Sequence, residues 1–178
     1  MPKGHEYRED PERFQRYLGR VSMVLRLIGK GMRHLHQEGV VHGNLSLETC
    51  GKFGDQWKLM GVAKAELVGE RFPPSLLGEN SPPESIDALS KLFKKRLAAS
   101  PAMDMWAFGK LMFEVIVGAP LIVFNKTKKT HHDMMALATI GGWNEGNLQE
   151  VVDQLTEAGI GTLGVDLVTH CLCPLPED

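Results

Sequence analysis

The stretch VHGNLSLETC, residues 41–50, gathers side chains of the kinds that a catalytic loop uses. His42 is expected to be a structural histidine under the loop and not a catalyst, and Asn44, Ser46 and Thr49 offer only neutral hydrogen-bonding groups. The stretch has the form of an active-site loop, yet it lacks the acid, the lysine and the metal ligand that such a loop needs. Its chemistry therefore depends on what the surrounding elements bring to it.

The residues before this stretch predict a long helix, or two helices in sequence, over the first forty positions. Asp10 is a good N-cap, and Pro11 suits the first helical position, where its missing N–H costs no hydrogen bond. Gly39 is a typical stop signal. Apolar residues recur at spacings of three and four, which indicates one buried stripe; these are Phe14, Tyr17, Leu18, Val21, Val24, Leu25, Ile28, Met32 and Leu35.

The residues on both sides of the stretch predict a small β element and a short helix. GVV (39–41) and QWKLM (56–60) read as two short strands, and GKFGD (51–55) reads as a turn before the second one. Residues 84–97 read as a short amphipathic helix.

The clearest element is a helix that Ser100 and Pro101 open and that Gly118 stops. It is apolar on nearly every side, which is typical of a central buried helix. Residues 130–172 read as short helices broken by glycine-rich segments. The predicted fold class is mainly α, with a central buried helix and a small two-stranded β element.

The composition is ordinary for a globular domain. The 178 residues suit one domain, with 43% hydrophobic and 24% charged residues. A net charge of −2 gives no overall field that would attract nucleic acid or an anionic membrane, and no apolar stretch approaches the roughly 20 residues that span a bilayer. Three cysteines and an N-terminus without an apolar signal core predict a cytoplasmic location.

The order of these pieces resembles the C-terminal lobe of eukaryotic protein kinases. A long helix ending in LH is followed by GVVH, a loop, WKL, a proline-proline-glutamate and the helix DMWAFGKLMFEVIVGAPL. These features occur in the family's order and at plausible spacing, over roughly residues 14–178. The resemblance implies a kinase-like C-lobe after an N-terminal extension, 1–13. The chain is expected to lack the N-lobe and to stop before the end of the C-lobe.

In the loop, the resemblance implies decay of the catalytic residues. The family's catalytic loop runs His-Arg-Asp-Leu-Lys-x-x-Asn, of which His42 and Leu45 match the histidine and the leucine. The departures fall on the arginine, the catalytic aspartate, the lysine and the metal-binding asparagine, which are here Gly43, Asn44, Ser46 and Thr49. Losing a positioned acid–base group typically costs about 10²–10⁴-fold in rate.

In the family, the magnesium-binding motif is Asp-Phe-Gly. The resemblance places Gly61, Val62 and Ala63 at these positions, so the motif is absent from this chain. Magnesium prefers hard oxygen ligands, usually carboxylates. Gly61 has no side chain and Thr49 offers only a neutral hydroxyl. ATP and magnesium, the cofactors of active family members, are therefore not expected to bind, and no other metal site is predicted.

The resemblance implies that scaffold positions survive. Asp104 corresponds to a central-helix aspartate that braces the catalytic-loop backbone, and Trp106 and Gly109 lie in the same helix. Glu84 corresponds to the glutamate of Ala-Pro-Glu, which pairs with an arginine near the end of the lobe. That arginine would come after CLCPLPED, so Glu84 is expected to lack its partner. A buried carboxylate without a partner is costly unless it is protonated or solvated.

Functions of different classes remain open. One is a catalytically impaired kinase-like domain that acts as an interaction or regulatory module. Its partner would be a protein, such as another kinase or a signalling protein, and neither nucleic acid nor a membrane. The alternative is a divergent Ser/Thr-type protein kinase with ATP-dependent phosphotransfer, whose N-lobe is missing from this chain. A decayed or mispredicted gene product is the third possibility.

Two other groups of residues predict no specific site. His170, Cys171 and Cys173 fit zinc-site spacings poorly, so buried helix cysteines are expected instead. Because Gly43 offers no guanidinium to a phosphate, Ser75 and Ser81 are weak candidates for activating phosphorylation.

The pair HH (131–132) and the basic stretches KLFKKRL (91–97) and NKTKK (125–129) are expected to lie on solvated faces. Docking of an acidic partner on a basic stretch is the alternative.

Overall fold

The computed structural model describes residues 10–73, 77–90, 97–123 and 134–173. The predictions on residues 1–9, on Ser75, on HH (131–132), on NKTKK and on all of KLFKKRL except Leu97 lie outside the described residues.

The first helix, α1 (Pro11–Gln37), is a single element of 27 residues rather than two helices. The Asp10 side chain accepts a hydrogen bond from the Arg13 N–H at 3.0 Å, as predicted for an N-cap. Gly39 follows the helix with φ of +71°, the left-handed conformation that a glycine stop requires. The predicted stripe forms the buried face of the helix, through Phe14, Tyr17, Val21, Val24, Ile28 and Met32.

In the part of the chain that the structure describes, four short strands form two antiparallel sheets. Strand β1 (Val40–Val41) pairs with β4 (Glu66–Leu67), and β2 (Cys50–Phe53) forms a hairpin with β3 (Gln56–Leu59). The two predicted strands therefore pair with other partners and not with each other. The prediction of a turn over 51–55 was wrong for residues 51–53, which belong to β2; only Gly54 and Asp55 form the turn. Two glycines within five residues are typical of a turn in a sequence. Here the pairing of residues 51–53 with β3 makes them a strand instead.

Five more α-helices follow within the described ranges. They are α2 (Pro83–Ser90), α3 (Pro101–Val117), α4 (Met134–Gly141), α5 (Glu145–Glu157) and α6 (Thr162–Cys171). The predicted helix over 84–97 is thus described only as far as Ser90, and Leu97 is not helical.

Helix α3 lies at the centre of the core, as predicted. Ser100 caps it by accepting from the Ala102 N–H at 3.3 Å, and Gly118 ends it with φ of +78°. Its residues are buried along nearly the whole length, where they face α1, α5 and α6. The buried ring of Trp106 meets that of Trp143 edge to face, with centroids 5.1 Å apart. Among the described helices, none combines the length and apolarity needed to cross a membrane.

Candidate functional site

The loop after β1 is held by one buried carboxylate from α3. Asp104 is 1% exposed, and its two oxygens accept hydrogen bonds from the backbone N–H groups of His42 at 2.8 Å and Gly43 at 2.9 Å. This is the bracing contact that the kinase resemblance implies. The His36 Nε2–H also donates to Asp104, at 2.8 Å. Asp104 thus ties together the end of α1, the loop and the central helix.

His42 is committed to the structure of the loop. It is fully buried, and its Nε2–H donates to the Met60 carbonyl at 2.7 Å. Its Nδ1 accepts from the Asn44 N–H at 3.2 Å. Because a carbonyl can only accept and an N–H can only donate, these partners assign the neutral Nε2–H tautomer. Neither ring nitrogen is left to act on a substrate.

A lysine that the sequence did not single out faces Asn44. The Lys64 ammonium donates to the Asn44 Oδ1 at 3.3 Å. Lys64 ends the short 3₁₀ helix Val62–Lys64, whose first residues Val62 and Ala63 are exposed. No local pattern marks this lysine, since its partner lies twenty positions earlier in the chain. The position that resembles the catalytic aspartate therefore carries a neutral amide bonded to a cation.

The two positions that resemble metal ligands lie against each other. Gly61 has φ of +79°, and a Cβ added there would meet the Thr49 Cγ2 at 2.8 Å. The Thr49 hydroxyl is used inside its own loop, where it accepts from the Ser46 N–H at 2.9 Å and contacts the Ser46 carbonyl at 3.0 Å. Gly61 and Thr49 thus offer magnesium no carboxylate, so the residues present do not fit that ion. Within the described ranges, no three His, Cys, Asp or Glu side chains are grouped to hold a metal.

Gly43 also occupies a place with no room for a side chain. Its φ is +69°, and an added Cβ would lie 2.6 Å from the Phe72 ring and 2.9 Å from the Lys64 carbonyl oxygen. Phe72 is 2% exposed and packs in a small core with Val41 and Met103. The arginine of the family's motif would have to displace this ring and the backbone at Lys64. The loop and the segment 62–72 therefore pack together in a way that leaves room only for glycine at position 43.

Glu84 lies at the start of α2 beside an apolar cleft of about 310 Å³. Burial raises the pKa of its carboxyl above the ordinary value of 4.5, and a hydrogen bond from its own backbone partly offsets this. None of the ion pairs that the structure describes involves Glu84. The cleft is lined mainly by apolar groups, among them Met105, Trp106 and Leu167.

The cysteines differ from one another. Burial raises the pKa of the Cys50 and Cys171 thiols to about 11, so both stay protonated at neutral pH. Cys171 is buried at the end of α6, as predicted, but Cys173 is exposed beyond the helix end, which corrects the prediction of two buried helix cysteines. His170 is exposed and lies 3.3 Å from the Asp166 carboxylate.

Buried polar groups also brace the turn before α2. Lys110, in the middle of α3, lies 2.8 Å from the Glu114 carboxylate and donates to the Asn80 Oδ1 at 3.2 Å. Ser81 is buried and accepts from the Gly78 N–H at 2.9 Å. In this structure Ser81 is therefore not presented to a kinase.

Comparison with curated proteins returns protein kinases. The chain is 24% identical over 179 residues to "Ribosomal protein S6 kinase beta" of Caenorhabditis elegans, covering 91% of this chain and 30% of that protein. It is 31% identical over 121 residues to a "Calcium and calcium/calmodulin-dependent serine/threonine-protein kinase" of Oryza sativa subsp. japonica, covering 61% of this chain and 22% of that one. The chain spans less than a third of the length of either relative. No protein-family model matches it.

Comparison with solved structures returns kinase domains as well. The autoinhibited serine kinase domain of the giant muscle protein titin superposes with a TM-score of 0.57 at 16% identity, over 85% of this chain and 43% of that one. The twitchin kinase region from C. elegans gives 0.55 at 18% identity, over 82% and 23%. The chain therefore has a protein kinase-like fold of the C-lobe type, and the fold predicted from the sequence is confirmed.

Proposed function

We propose that this chain is a kinase-derived module that binds a protein partner, such as another kinase or a signalling protein, and transfers no phosphate itself. The observation that supports this most directly is the contact between Gly61 and Thr49. The two positions that correspond to the family's metal ligands are packed together without a carboxylate. With three free cysteines, the proposed location is the cytoplasm.

Charge is the physical reason for proposing inactivity. Phosphoryl transfer depends on positioning and on neutralising the charge of the phosphates, most of which magnesium supplies. Asn44 cannot accept a proton as a carboxylate does, and its amide oxygen is bonded to Lys64. The single positive charge of Lys64 does not replace both a bound divalent ion and a catalytic base.

The scaffold, by contrast, supports a binding role. The hydrogen bonds from the loop backbone to Asp104 keep the loop in a defined shape, although the loop lacks the residues of the family's catalytic motif. Four large apolar side chains are exposed in the loop and the segment that follows it, namely Leu47, Val62, Leu67 and Val68. Exposed apolar groups on a fixed backbone favour contact with another protein.

Thermal unfolding with and without millimolar Mg-ATP tests the catalytic half of the proposal. We expect one cooperative transition, and we expect its midpoint temperature to be the same with and without Mg-ATP. A ligand present at a hundred times its Kd would stabilise the native state by about 2.7 kcal/mol, which is readily visible.

The variant Asn44→Asp sharpens this test. It restores the acid of the loop and places it beside Lys64, but it leaves Gly61 and Thr49 unchanged. We expect no phosphate incorporation into a general substrate protein and no Mg-ATP-dependent shift. A magnesium-dependent rise in melting temperature, or transfer by either chain, would contradict the proposal and support the divergent kinase.

A further inference from the structure

A cleft that shares no residue with the loop lies between the N-terminal half of α1 and the β2–β3 hairpin. We call it the α1–hairpin cleft; its volume is about 690 Å³. This is within the roughly 300–1,000 Å³ that ligand pockets occupy. Its basic residues are Arg13, Arg16, Arg20 and Lys52, and its acid is Asp55.

The charge of the cleft differs from that of the whole chain. Four basic side chains against one acid give it a local charge of +3, in a chain whose net charge is −2. Arg13, Arg16 and Arg20 follow one another at spacings of three and four, so they line one side of α1. Lys52 extends the basic rim onto the hairpin.

Two of these cations, Arg16 and Lys52, are held only weakly by neighbouring acids. Arg16 lies 4.0 Å from the Glu12 carboxylate and Lys52 lies 3.9 Å from that of Asp55, with all four side chains exposed. Ion pairs this long and this exposed contribute little, since water screens them. A ligand carboxylate can therefore compete for these cations, and an arginine can bind it through two parallel hydrogen bonds.

The floor of the cleft is apolar. Val21 and Val24 of the buried stripe lie beneath it. Met23, which is 54% exposed, and the half-buried Trp57 form its walls. A cleft with a basic rim and an apolar floor suits a ligand that carries acid groups around an aliphatic or aromatic side chain.

We propose that the α1–hairpin cleft binds an acidic peptide segment of a protein partner, with one apolar side chain of that segment against Met23 and Trp57. This inference rests on the proposed function and specifies the chemistry of the partner. A nucleic acid fits less well, because the basic groups form one short rim and the net charge of the chain opposes a long polyanion. The carboxylates of a short acidic segment match that rim.

The test uses the full chain and a fluorescently labelled peptide of alternating glutamate and leucine. Binding is followed by fluorescence anisotropy at near-physiological salt, against the peptide in which glutamine replaces every glutamate. We expect saturable binding of the glutamate peptide, weaker binding of the glutamine peptide, and loss of affinity as salt rises. The double variant Arg16→Glu with Arg20→Glu should weaken binding by at least about tenfold, which is 1.4 kcal/mol.

Matched variants separate the cleft from general attraction of charge. Arg26→Glu with Arg33→Glu makes the same change at exposed positions of α1 outside the cleft and should alter the Kd by less than about twofold. Lys52→Glu, on the hairpin, should weaken binding independently of α1. Equal loss in the two arginine pairs would overturn the proposal, as would tighter binding of a short oligouridylate. Neither outcome bears on phosphotransfer, so the proposed loss of catalysis stands or fails separately.

Discussion

At Glu84 a carboxylate lies among apolar side chains, and its raised pKa links ionisation to stability. The folded state holds the Glu84 proton more tightly than the unfolded state does, where the ordinary value is 4.5. As pH rises from that value through the higher folded pKa, the unfolded chain loses the proton first. Folding stability therefore falls across this interval and stays lowered above it.

Replacing Glu84 by glutamine removes this dependence. We expect Glu84→Gln to be about as stable as the parent chain near pH 4 and more stable than the parent at pH 7. The measurement is the melting temperature of both proteins across this range, with Glu79→Gln as the control because Glu79 is exposed. A Glu84→Gln protein that melts below the parent at pH 7 would mean that the carboxylate is stabilised by a partner.

Single residues were predictable where the signal is local. The caps Asp10 and Ser100 and the stop at Gly118 can be read from neighbouring residues, because each acts within its own helix. His36 and Lys64 were not found. Their partners, Asp104 and Asn44, lie far away along the chain, and no sequence periodicity relates them.

At the scale of elements, the contact between α3 and α6 depends on the absence of a side chain. A Cβ added to Gly109 would lie 2.6 Å from the Cys171 Cβ and 3.0 Å from the Leu172 Cγ. Both neighbours are buried, so they have little room to move. Gly19, in the exposed face of α1, has nothing within 4 Å of the same position.

The same substitution should therefore have opposite effects in these two helices. Gly109→Ala is expected to destabilise the fold by about 1–3 kcal/mol through overpacking. Gly19→Ala should stabilise it by up to about 1 kcal/mol, because alanine favours the helix and nothing blocks it. Urea unfolding of both variants measures the difference. A neutral Gly109→Ala would show that α6 can move away from α3 without loss.

Long elements were predictable and very short ones were not. The stripe of α1 and the apolar surface of α3 repeat over many residues, so their periods are unambiguous. A two-residue strand such as β1 or β4 shows no period. Its partner is fixed by the path of the chain between Val41 and Glu66, which the sequence alone does not reveal.

At the scale of the molecule, Asp104 joins three parts of the chain through hydrogen bonds. The end of α1, the loop at 42–43 and the central helix share this one carboxylate. The kinase-like fold was predictable because the family's features occur in order over most of the chain. The α1–hairpin cleft was not, since residues 13–24 and 52–57 come together only in the folded chain.

Asp104→Asn tests whether this junction stabilises the whole fold. The amide keeps the shape but replaces one acceptor oxygen by a donor, which leaves a buried N–H group facing another donor. We expect a loss of about 1–3 kcal/mol in urea unfolding, together with faster hydrogen exchange at the His42 and Gly43 amides. Asp153→Asn, on the exposed face of α5, is the control. Unchanged exchange at both amides would show that the loop holds its shape without Asp104.

The tight glycines at 43 and 61 bear on how this sequence can evolve. Each has a positive φ and a close neighbour, so arginine or aspartate at these positions first disrupts packing with Phe72 or Thr49. Either change carries that packing cost on its own, whatever the new side chain could contribute. We therefore expect each of these mutations, arising alone, to destabilise the fold. Packing with Phe72 and Thr49 therefore favours keeping glycine at positions 43 and 61, whether or not phosphotransfer is required of the protein.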